Sequence, residues 1–121
     1  MDFELDITGN CGRDVDSAYT PNGKLFSKVS VAVEVGYGEY KRTEWVNVTV
    51  WGDKQAENFG KFVQKGTRLR VKGEPKVNTW IGKDGEAHAS LELTCHEFSI
   101  LKNGKPKDDE ENPYDEATQG E

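Results

Sequence analysis

The sequence predicts an all-β domain at residues 1–102, five strands closed into a small barrel with one short helix between the third and fourth, followed by a disordered acidic tail at 103–121. Three observations predict it. Apolar and polar residues alternate at period two in five segments; Gln55 to Val63 alone has the apolar spacing of a helix; and apolar periodicity stops after Leu101. At 121 residues the chain is one domain's worth, enough for a single core.

In the first strand Phe3, Leu5, Ile7 and Cys11 alternate with Glu4, Asp6 and Thr8, and Gly9 and Gly12 allow the bend that small barrels need. Thr20-Pro21-Asn22-Gly23 is a turn signature leading into the second strand, Leu25 to Val35, where Val29, Val31, Val33 and Val35 share a face. Gly36 to Arg42 is a hairpin arm with Tyr37 and Tyr40 at its tip. The third strand, Thr43 to Trp51, sets Val46, Val48 and Val50 against a face carrying Trp45, Asn47, Thr49 and Trp51. Gly52-Asp53-Lys54 ends that strand. The helix Gln55 to Val63 places Ala56, Phe59, Phe62 and Val63 at helical spacing and closes at Lys65-Gly66. The fourth strand runs from Thr67 through Val71, is interrupted at Gly73 and Pro75, and resumes from Lys76 to Ile81. Gly82-Lys83-Asp84-Gly85 turns the chain into the last strand, Glu86 to Leu101, through Leu91, Leu93, Cys95 and Phe98. Five strands with the helix between the third and fourth follow the order of the oligonucleotide- and oligosaccharide-binding (OB) barrel, a partly open Greek key.

The formal charge of −6 is unevenly spread. Residues 103–121 hold Lys105 and Lys107 against seven acids, net −5, so the first 102 residues carry only −1. Within them, residues 61–83 hold Lys61, Lys65, Arg68, Arg70, Lys72, Lys76 and Lys83 against the single acid Glu74. A stripe of that sign suits a polyphosphate backbone better than the net charge does. In the fourth strand Arg68, Arg70 and Lys72 oppose Leu69 and Val71, so the cations share a face. Indoles on one strand and cations on the next supply what base stacking and phosphate tracking require without reading sequence.

Cys11 and Cys95, on inward positions far apart, read as free buried thiols. With neither C-x-x-C nor a His-rich cluster, no metal or other cofactor is expected. His88 and His96 have no partner at nucleophile or metal spacing and read as ordinary surface histidines; without a carboxylate pair or activated nucleophile, the chain does not read as an enzyme. Met1-Asp2-Phe3-Glu4-Leu5-Asp6 has no leader character, and no run approaches the ~18 apolar residues of a membrane span. The expectation is a cytoplasmic protein, nucleoid-associated or in a phage-infected bacterial cell.

Over residues 5–101 the chain resembles the bacterial-type single-stranded DNA-binding protein (SSB) family. The resemblance is carried by I-T-G-N-C-G-R-D-V, Y-T-P-N-G-K, T-E-W-V-N-V-T-V-W-G, A-E-N-F-G-K-F-V-Q-K-G and R-V-K-G-E-P-K-V-N-T-W, five pieces in one order. It implies a non-catalytic homo-oligomer, usually a tetramer, that coats single strands in DNA replication, recombination and repair. It places Trp45, Trp51 and Trp80 at base-stacking positions and Tyr37 or Tyr40 on an arm offering another aromatic. Arg42, Arg70, Lys72 and Lys76 would contact phosphates, with Arg68 completing the cationic strand. The chain departs from the family in having no long glycine-, glutamine- and proline-rich linker and in ending Gln119-Gly120-Glu121 where members end in an acidic tip closing in Pro-Phe. Asp108 to Glu111 and Tyr114 keep part of that character, as a surface for replication or recombination proteins or as a polyanion mimic for the basic groove. A short member of this kind suits a phage or mobile element as well as a chromosome. The alternative function is an OB-fold assembly factor that mainly binds replication or recombination proteins.

Overall fold

In the computed structural model, which describes residues 3–104, six strands and one α-helix follow one another: β1 Leu5–Cys11, β2 Asp16–Tyr19, β3 Leu25–Val35, β4 Arg42–Trp51, α1 Asp53–Phe62, β5 Arg68–Ile81 and β6 Ala87–Lys102. A short 3-10 turn, Gly38–Tyr40, caps the arm between β3 and β4. The tail expected at 103–121 lies outside the described residues save Asn103 and Gly104.

The sheet runs β1-β5-β6-β4-β3-β2, and β1 also pairs with β3, so the pairings of β1, β5, β6, β4 and β3 return to their start. All contacts are antiparallel except β4 with β6, which run parallel from Val46↔Leu91 to Thr49↔Thr94. Inside the ring lie Val29, Val31, Val46, Val48, Val50, Leu69, Val71 and Leu93, the alternation residues of four strands. Helix α1 covers the core with Ala56 and Phe59, and the Phe59 ring meets Phe98 edge-on at 4.9 Å. The all-β OB architecture with its helix between the third and fourth long strands is therefore as expected.

Three details differ. The additional strand β2 pairs with β3 from Asp16↔Lys28 to Tyr19↔Leu25 across the Thr20–Gly23 turn, where Gly23 has φ 87°. Its four residues are all exposed, so no alternation announced it. The fourth strand is also continuous through Gly73 and Pro75. There the partner numbering jumps from Glu97 to Cys95, a bulge in β6 opposite Lys72 and Gly73, and a Cβ on Gly73 would overlap the Thr94 carbonyl. Pro75 falls beyond the last β1–β5 pair among the described residues, Leu5↔Gly73, where the β5 edge tolerates a missing donor. Finally, Phe62 is exposed instead of joining the helix's apolar face. Cys11 and Cys95 are free and buried, and burial pushes their thiols up to about 12 and about 11.

Candidate nucleic-acid interface

Strands β5, β6, β4 and β3 are consecutive neighbours in the sheet, and their outward residues form one face. Cross-strand partners fix its layout: Phe26↔Trp51, Lys28↔Thr49, Ser30↔Asn47 and Ala32↔Trp45 join β3 to β4; Asn47↔Glu92 and Thr49↔Thr94 join β4 to β6. Lys76↔Glu92 and Trp80↔His88 extend it to β5. The valines between these residues on β3 and β4 fill the core, which is why Trp45 and Trp51 stand outside it at 55% and 42% exposure; Trp80, 46% exposed, lies on the outer end of β5, where Val77 and Ile81 of the opposite parity are exposed as well.

Each indole has a different support. Trp45 lies against the Gly12 backbone, where a Cβ would come within 2.6 Å of its Cζ3 atom. Trp51 leans on the Phe26 ring, centroids 5.1 Å apart and planes tilted by 42°, beside an open cavity of about 760 Å3 lined by Thr20, Asn22, Lys24 and Asp53. Trp80 stacks on His88 at 5.6 Å and 19°. Trp45 and Trp51, six residues apart on one strand, are separated by about 20 Å. Between them a hollow of about 190 Å3 is lined by Arg13, Lys28, Ser30, Asn47, Thr49 and Glu92, with the Ser30 hydroxyl donating to Asn47 Oδ1 at 3.1 Å.

The expected cations divide into groups. Lys76 belongs to the four-strand face, across from Glu92. Arg68, Arg70 and Lys72 face outward on the part of β5 paired with β1, as their alternation requires. There Arg70 donates twice to Asp6, at 3.1 and 2.7 Å, and Arg68 donates to Asn10 at 3.3 Å. The Arg70 hydrogen bond holds the Asp6 carboxyl below the usual carboxylate range, and Asp6 in turn raises Arg70. Lys72 lies opposite Asp6 on β1 and Glu97 on β6. Arg42 shares the strand parity of Val46, not of Trp45, and its Nε donates to Glu44 at 2.7 Å. On the same arm Tyr37 and Tyr40 are 86% and 77% exposed, and Lys41 pairs with Glu34 at 3.1 Å.

Sequence reasoning missed Phe26, Lys28, Arg13 and Gly12 as neighbours of the indoles. Phe26 and Lys28 were legible as the parity opposite the β3 valines; Arg13 and Gly12 reach the face through the β1–β3 closure, which a single sequence does not announce. His88 is corrected as well: it is exposed, but it has both an indole and a carboxylate as partners.

An OB-fold barrel with an open strand face of indoles, amides and cations defines a class of oligomer-binding proteins. A family model described as the single-strand binding protein family matches residues 3–101, and the chain belongs to that family. That family is described by the binding of single strands, not by a catalysed reaction. The single-stranded DNA-binding protein of Neisseria meningitidis serogroup A is 30% identical over 116 residues, covering 92% of this chain and 66% of that protein. That of Xanthomonas axonopodis pv. citri is 31% identical over 100 residues, covering 78% of this chain and 55% of that protein. The chain therefore spans just over half to about two thirds of these relatives' length. Among solved structures, the mitochondrial single-stranded DNA binding protein Rim1 from S. cerevisiae superposes with a TM-score of 0.65 at 27% identity, covering 86% of this chain and all of that one. Among the described residues no helix is long and apolar enough to cross a membrane.

Proposed function

We propose that this protein binds single-stranded DNA without sequence preference, by stacking bases on Trp45, Trp51 and Trp80 and holding phosphates with nearby cations. The observation that carries the reading is that all three indoles lie outside the core on one face, each backed by a neighbour that leaves part of the ring open. Lys76, Lys28 and Arg13 are the cations closest to that face in the sheet layout, and Arg42, Arg68, Arg70 and Lys72 extend the positive path along β5 and the arm, where Tyr37 and Tyr40 offer further rings. The biological setting would be coating of strands exposed in replication, recombination and repair, by a homo-oligomer built from the domain at residues 1–102. The acidic tail would compete for the groove or hold partner proteins.

The second reading, an assembly factor with weak DNA affinity, draws on the ion pairs that already neutralise Arg42 and Arg70. Trp-to-Ala substitution separates the two. Each indole removed from the stacking reading costs roughly 1–3 kcal/mol of affinity for oligo-dT, whatever the base composition of the probe. Trp45→Ala and Trp80→Ala proteins that stay folded and bind oligo-dT as wild type does contradict it.

A further inference from the structure

The hairpin between β5 and β6 carries Trp80 and His88 as a directly opposed pair, with the five residues Gly82 to Glu86 between its strands. Three features fix the imidazole. It lies nearly parallel to the indole, at 5.6 Å and 19°. Its Nε2 is 3.3 Å from Asp84 Oδ1, and that carboxylate is anchored in turn by the Glu86 N–H at 2.9 Å. Beneath both lies Gly82, where a Cβ would stand 2.6 Å from His88 Nε2 and 2.8 Å from Asp84 Oδ1. The turn is thus shaped to let Asp84 hold His88 against one side of Trp80.

From this we infer that His88 is a positioning residue for single-strand binding: it backs one face of the Trp80 indole and tethers the ring, so that an incoming base stacks on the other face as the third layer. The inference rests on the stacking reading above. An unsupported indole at a hairpin tip samples several rotamers and must lose that freedom when a base arrives. A ring already sandwiched against an imidazole has lost it beforehand, which favours binding by preorganisation. Asp84 acts one step further out, because its carboxylate orients the imidazole. A hairpin-stabilising aromatic pair with no part in binding is the competing account of the same geometry.

The test is the affinity of the full chain for a labelled oligo-dT, with melting temperature measured alongside and the Trp80 indole N–H signal followed by NMR. His88→Ala is expected to weaken binding about three- to tenfold, the size of an aromatic pair. His88→Phe restores binding to within about twofold, since a flat ring suffices. Gly82→Ala keeps the histidine but displaces it: φ at Gly82 is not in the left-handed region, and the atoms it meets are side-chain tips, so the fold is kept. It is expected to weaken binding as His88→Ala does, with both variants moving the Trp80 signal. A His88→Ala protein with wild-type affinity overturns the inference, whether or not its melting temperature falls. So does a His88→Phe protein as weak as His88→Ala. Wild type failing to bind oligo-dT removes the stacking reading itself, and the inference with it; normal wild-type binding with unaffected variants removes the inference alone.

Discussion

Arg70 and Trp45 show how far a single position could be read. Alternation put Trp45 on the outer face, because Val46, Val48 and Val50 had to fill the core, and the structure agrees. The same alternation put Arg70 outward but could not show that Asp6, 64 positions earlier, would take both arms of its guanidinium. Ion pairing across strands depends on register, which composition does not carry. The pair makes a prediction. Asp6→Asn leaves Arg70 without its carboxylate, and if Arg70 contacts phosphate its release steepens the salt dependence of oligo-dT binding by about 0.7 in log–log slope. The same substitution alters acid stability. The folded-state carboxyl of Asp6 titrates below its unfolded value, so its contribution is present above about pH 4 and is lost as pH falls through the lowered folded value. Melting curves of Asp6→Asn therefore lose part of the acid-side fall seen in wild type. An identical acid profile in both proteins contradicts the linkage.

At the level of elements, the five long strands and the helix were legible because each buries one face and so writes a period into the sequence. Strand β2 was not legible, since four exposed residues held by a hairpin to β3 have no buried face to record. Gly73 and Pro75 look like breakers in isolation, yet they mark the place where, among the described residues, the β1 pairing ends and β5 continues against β6. The glycine is needed there for contact and not for an unusual backbone angle: the Thr94 carbonyl occupies the space of a Cβ. Gly73→Ala should consequently push β5 and β6 apart at the bulge and lower stability by about 3 kcal/mol, the upper end for overpacking. Denaturant unfolding measures it; a loss below about 0.5 kcal/mol shows that the bulge yields freely.

The whole molecule resolves an apparent contradiction between a net charge of −6 and a polyanionic ligand. Most of the excess acid is confined to residues 103–121, and the described domain sets its indoles and several cations along neighbouring outer strands. Family membership was legible from five short pieces in order, since each marks a strand, a turn or the helix that the fold requires. The support beneath each indole was less so: Phe26 could be read only as a residue of the outer parity, and its pairing with Trp51, like those of Gly12 with Trp45 and His88 with Trp80, exists only once the sheet is assembled. The central claim is that those indoles stack on bases in a cationic setting. Titration of intrinsic tryptophan fluorescence with oligo-dT, at low and at high salt, tests it most directly. The account predicts strong quenching that saturates, with an affinity that falls steeply as salt rises. Binding without quenching, or quenching whose affinity ignores salt, would contradict it.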